Sequence, residues 1–234
     1  LDSRMLGRDL GVAYYNFASW GMQVTDYGVV LQALVKEYRP SWILICSSPW
    51  DFMNPATGAY FDYAGSAGWT RERFPEYFYL RNYNPVHVLY HRRFKSPRPH
   101  FDAWGGASVA EMWEGVVRKD YDEHLNFPAP STELQYRALD SLCRFLSAEK
   151  VRLIFAQAPM EARYVNTPAR QQALVAHFGR CRAIVEGRGQ AYFNYYDTTI
   201  FVDSLFADLT HLSKAGQEVL TEELVNDLKK IVTN

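Results

Sequence analysis

Near one end of this 234-residue chain stands Asp208-Leu209-Thr210-His211-Leu212, and near the other Asp2-Ser3-Arg4. These residue types can divide the labour of acyl transfer. A serine hydroxyl is a poor nucleophile until an adjacent base takes its proton. An imidazole acts as that base when a carboxylate on its other nitrogen fixes the tautomer and stabilises the imidazolium. Ser3 is thus a candidate nucleophile, His211 its general base and Asp208 the orienting carboxylate. On an irregular loop, a spacing of three residues lets the Asp208 carboxylate fold back onto the imidazole. Each also has an ordinary reading: Ser3 as a helix N-cap, Asp208 as a turn residue, His211 as a polar residue before a helix.

Other chemistry-bearing patterns are weaker. His87 and His91 have a metal-like spacing, but no Glu follows the first His and no third ligand is evident, so they read as a surface pair. Gly65-Ser66-Ala67-Gly68 lacks the glycine that a nucleophile elbow needs two residues before its serine. Arg92-Arg93-Phe94-Lys95 reads as a solvated face, with contact to a polyanion or a membrane surface as the alternative. Cys46, Cys143 and Cys181 lack the spacing of a disulfide framework and read as small buried hydrophobes.

The elements that must position the candidate triad follow from periodicity. Val12 to Phe17 and Trp42 to Cys46 read as strands, the second continuously apolar as in a strand covered on both faces. Between them Thr25 to Tyr38 reads as a helix burying Val30, Leu31, Leu34, Val35 and Tyr38, with Pro40 marking its end. Thr132 and Gln135 have capping-box spacing at the head of a helix with Leu134, Ala138, Leu142 and Leu146 on one side, Leu139 and Cys143 beside them. Val151 to Ala156 and Ala191 to Tyr195 read as strands around a helix from Pro168 to Gly187. A last helix, Ser213 to Val232, has Ser213 as its cap and Leu220, Leu224, Leu228 and Ile231 along one face. Alternating strands and helices predict one α/β domain over residues 1–234 with a mostly parallel sheet and helices on both sides.

From about Asn54 to Pro130 the period is lost. A structureless stretch of that length is unusual inside a compact domain, so an inserted cap or lid is expected there. The segment is rich in rings; the chain as a whole is 15% aromatic. Such rings suit a small subdomain core and a sugar-binding cleft alike.

Bulk composition narrows the classes. Apolar content of 48% and charged content of 22% are globular values, and a net charge of −1 gives no field that favours nucleic acid. No apolar run is long enough to span a bilayer.

The order of the pieces resembles the SGNH, or GDSL-like, hydrolase superfamily. Asp2-Ser3-Arg4 looks like its first block, Gly21 its second, the Ser47–Asp51 segment its third, and Asp208 with His211 its last. The resemblance implies a flavodoxin-like three-layer α/β/α sandwich carrying the aromatic-rich insertion. It implies an oxyanion hole from the peptide N–H groups of Ser3 and Gly21, although Gly21 alone reads as a turn glycine. Ser48 and Asp51, at a strand's C-terminal end, are expected to contact substrate. Leu1 stands where the family has Gly, and the third block lacks the family's Asn, one oxyanion donor worth about 2.7–4 kcal/mol. Ser47-Ser48-Pro49-Trp50 is similar to the D-alanyl transfer and polysaccharide O-acetyltransferase branch.

That branch implies a serine-dependent acyl-ester hydrolase or O-acyltransferase acting on acylated carbohydrate or cell-envelope polysaccharide. No metal or organic cofactor is implied, and no nucleic acid. Membrane-anchored or multi-protein export partners and an extracytoplasmic, periplasmic or cell-surface location are implied by the resemblance. In the family a central strand precedes the nucleophile, so residues upstream of Leu1 are expected. The alternative is a catalytically weak or inactive binding or assembly protein on the same fold, in a polysaccharide export or modification system.

Overall fold

The computed structural model describes residues 1–12, 14, 16, 22–53, 127–162, 167–196, 199–208 and 210–232, with Ser3 and Val232 described by backbone alone. Gly21, the histidines 87 and 91, the 65–68 and 92–95 runs, and residues 54–126 of the expected insertion lie outside them.

The described elements are α1 (Ser3–Leu10), α2 (Val24–Tyr38), β1 (Trp42–Ser47), α3 (Thr132–Ala148), β2 (Arg152–Gln157), α4 (Pro168–Glu186), β3 (Ala191–Asn194) and α5 (Lys214–Val232). Short 3-10 turns follow β1 at Pro49–Phe52 and precede α5 at Asp203–Leu205. The three strands form a parallel sheet in the order β1-β2-β3, with Ile43 opposite Leu153 and Ala156 opposite Phe193. Of the expected strand Val12–Phe17, the described residues Val12, Tyr14 and Asn16 belong to no strand.

Side-chain alternation along the strands builds two cores. Ile43, Ile45, Leu153, Phe155 and Tyr192 face a layer of α2, α3 and α4. Trp42, Leu44, Cys46, Ile154, Ala156 and Phe193 face α1 and α5, where Leu6, Leu224 and Leu228 are fully buried. The protein is therefore a three-layer α/β/α sandwich. Burial of each such leucine stabilises the fold by about 1.5–3 kcal/mol.

Two details depart from the periodic reading. Leu134 is 47% exposed and Tyr38 40% exposed. On α3 the buried stripe runs instead through Gln135, Tyr136, Leu139, Leu142, Cys143 and Leu146. The Thr132–Gln135 capping box does not form. Gln135 is fully buried and its Oε1 accepts from the Thr25 N–H at 2.9 Å, so it satisfies a donor in the first turn of α2. Thr132 Oγ1 accepts from the Ala129 N–H at 2.9 Å.

Helix directions set where the site lies. Arg152, at the start of β2, donates to the Ile231 carbonyl at the end of α5, at 2.9 Å. Hence α5 runs opposite to the strands and begins on the C-terminal side of the sheet. Alongside it α1 runs the same way: Asp2 meets Thr221, and Asp9 feels the charge of Lys229. Ser3 therefore lies at the end of α1 nearer the C-terminal side of the sheet.

Candidate active site

Ahead of α5 the described residues close a turn on themselves. Phe206 and Leu212 form an antiparallel bridge, and the His211 carbonyl accepts from the Ala207 N–H at 2.7 Å. Ser213 caps α5, its Oγ accepting from the Gly216 N–H at 3.2 Å and donating to the Leu205 carbonyl at 3.0 Å. Gly216 packs directly on that carbonyl: a Cβ built there would lie 2.1 Å from Leu205 O and 2.9 Å from Leu212 Cδ2. Only glycine allows this approach.

Closure of the loop brings Asp208 and His211 together. His211 Nδ1 lies 2.8 Å from Asp208 Oδ2 and 3.0 Å from Oδ1. The same carboxylate accepts the peptide N–H groups of Thr210 at 2.9 Å and His211 at 2.7 Å. Burial pushes the Asp208 carboxyl up. The His211 side chain and these two N–H groups outweigh it and hold the carboxyl at about 2. At neutral pH Asp208 is thus a fixed anion beside Nδ1, the carboxylate–imidazole arrangement that an acid–base pair requires.

Ser3 opens α1. Asp2, not Ser3, is the N-cap: its Oδ1 accepts the N–H groups of Arg4 at 2.9 Å and Met5 at 3.0 Å. Ser3 thus sits in the first helical turn. There the helix dipole favours a negative charge, which the Asp2 carboxylate already supplies. Gly21 lies outside the described residues. The neighbouring Gln23 is 3% exposed, and its amide, oriented to donate, reaches the carbonyls of Asp51 at 3.0 Å and Trp50 at 3.2 Å. The exit of β1 is therefore tied to the start of α2.

Ser48 and Asp51 stand at that exit, turned toward each other. They form a capping box around the 3-10 turn. Asp51 Oδ2 accepts from Tyr27 Oη at 2.8 Å, Ser47 Oγ at 2.9 Å and the Ser48 N–H at 3.0 Å. Burial pushes the Asp51 carboxyl up despite these donors. Its bonds knit β1, α2 and the 3-10 turn into one unit.

Several buried polar groups carry no sequence signal strong enough to single them out. His177 is 1% exposed, with Nδ1 2.8 Å from Tyr136 Oη and Nε2 3.4 Å from Gln157 Nε2. Burial pushes its imidazole down to about 3, so it is neutral at physiological pH. Phe52 and Phe127 pack edge-on against it. Glu161, 1% exposed, follows β2 on the C-terminal side of the sheet. In the sequence it is marked only as an acid soon after a buried-type strand.

The cysteines are free thiols, Cys143 and Cys181 fully buried and Cys46 partly so. Burial raises Cys46 to about 11 and Cys143 to about 12, and pushes Cys181 up as well, so none is a thiolate nucleophile at neutral pH. Among the described residues no cluster of three or more His, Cys, Asp or Glu could hold a metal ion, and no helix is long and apolar enough to cross a membrane. No protein family, curated protein or solved structure matches the chain.

Proposed function

We propose that the protein is a serine acyl-ester hydrolase or O-acyltransferase of the SGNH type, acting on acylated carbohydrate or cell-envelope polysaccharide outside the cytoplasm. The observation that carries this reading is the Asp208 carboxylate 2.8 Å from His211 Nδ1, on a loop at the head of α5. That helix packs beside α1, whose first residue is Ser3.

In this reading Ser3 Oγ attacks the acyl carbonyl carbon as His211 Nε2 takes the hydroxyl proton. The oxyanion is held by the peptide N–H groups of Ser3 and Gly21. Collapse breaks the bond to the leaving alkoxide, which takes the proton from His211. Water or a sugar hydroxyl, deprotonated by His211, then attacks the acyl-serine and releases Ser3. A fluorophosphonate probe tests the assignment. Labelling of Ser3 in the wild type is expected, with loss in Ser3→Ala and His211→Ala. The two variants should lose similar esterase activity and the double variant little more, because the residues act as one unit.

A second reading, a catalytically weak binding or assembly protein on the same fold, has one observation behind it. Ser48 and Asp51 are spent on capping and on Tyr27 and Ser47, where the family places an oxyanion donor. Probe-inert Ser3 in folded wild-type protein decides for this second reading.

A further inference from the structure

The N–H of Asp2 lies just before Ser3. As the N-cap residue of α1, Asp2 has no acceptor for it within that helix. It donates instead to Thr221 Oγ1 at 2.9 Å, across 219 residues of sequence. Thr221 is fully buried in α5, and its hydroxyl donates to the Gln217 carbonyl at 2.7 Å. One turn earlier, Gln217 Nε2 donates to the Leu212 carbonyl at 3.3 Å. Leu212 directly follows His211. A continuous polar run thus joins the amide before Ser3 to the carbonyl after His211.

We propose that Thr221 is a positioning residue that sets the Ser3 turn against the Asp208–His211 loop, with Gln217 fixing the other end of the run. This rests on the serine acyl-transfer reading above. Much of the contact between α1 and α5 is apolar, through side chains such as Leu6, Leu224 and Leu228. Such contacts are non-directional and tolerate sliding of one helix along the other. The Asp2–Thr221 bond has a direction and a fixed length, so it selects one register. An error of about 1 Å between nucleophile and base costs on the order of a hundredfold in rate. In this proposal Thr221 acts through the Asp2 N–H, on geometry alone.

The test compares the second-order rate of fluorophosphonate labelling at Ser3, and kcat and KM on a small aryl acetate, in the full chain. Thr221→Val keeps the side-chain shape and removes the acceptor. It should slow labelling and lower kcat about ten- to a hundredfold, with KM and the shape of the pH profile unchanged because the Asp208–His211 pair is intact. Thr221→Ser should restore the rate. If Thr221→Val does not fold, Thr221→Ala, which also removes the acceptor, takes its place and should show the same kcat loss. Wild-type rates in a folded Thr221→Val, or in Thr221→Ala where that variant stands in, overturn the positioning role while leaving the acyl-transfer reading standing. Absence of labelling in the wild type overturns that reading, and this inference with it.

Discussion

Asp208 holds His211 at two points: its carboxylate lies 2.8 Å from the ring nitrogen Nδ1 and accepts the His211 peptide N–H at 2.7 Å. One anion therefore fixes both the backbone turn and the imidazole above it. The two effects are separable by experiment.

The first concerns catalysis. Asp208→Asn keeps an acceptor for the peptide N–H groups but can present an amide donor to Nδ1, favouring the wrong tautomer. On the acyl-transfer reading, kcat on an aryl acetate falls by about ten-thousandfold, with the fold retained by circular dichroism. An Asn variant within tenfold of wild type would remove His211 from the role of base.

The second concerns acid stability. The Asp208 carboxyl is held at about 2, below its ordinary value of 3.8. The folded state therefore favours the anion. Its contribution is fully present above the ordinary value and disappears as pH falls through about 2. Melting curves of wild type and Asp208→Asn should converge as pH is lowered from 5 to 2. A constant gap across that range contradicts the assignment.

Asp51 has the opposite sign. Burial raises its carboxyl, so the charged form is disfavoured in the folded state. An Asn there can still accept from Tyr27, Ser47 and the Ser48 N–H through its amide oxygen. Asp51→Asn should therefore gain stability relative to wild type as pH rises from 3 to 7. Chemical denaturation at the two pH values measures this, and a variant that loses ground toward neutrality would show that the charge itself is needed.

Gly216→Ala tests the loop's seat on α5. The added methyl would meet the Leu205 carbonyl at 2.1 Å, and backbone cannot step aside as a flexible side chain can. A loss of about 1–3 kcal/mol is expected. On the proposed mechanism it comes with slower labelling of Ser3, because the displaced loop carries His211. A neutral Gly216→Ala, by thermal melt and labelling rate, would show that the loop has slack.

Much of the sandwich is legible in the sequence because its signals are local. The apolar run Trp42 to Cys46 and the spaced leucines of α5 report burial directly. The carboxylate–imidazole contact is local too, since three residues of irregular loop suffice to close it. What the sequence hides is long-range. Gln135 reads as a capping partner for Thr132, yet it serves Thr25 on another helix. Leu134 fits the helical period but faces outward, because Gln135 and Tyr136 occupy the buried stripe. The place of Ser48 and Asp51 after a strand is legible, but the hydrogen bond that Asp51 accepts from Tyr27, 24 residues away, is not. Thr221 gives no motif at all: its bond to Asp2 is visible only once the fold brings the two together.

The Phe206–Leu212 bridge and the Gly216 contact make the loop an extension of α5, and Arg152 pins the far end of that helix to the sheet. On the acyl-transfer reading, the arm that carries Asp208 and His211 is therefore the fixed jamb of a doorway. A motion that admits a bulky acceptor would then hinge elsewhere, and mutants of this arm would leave its rate unchanged.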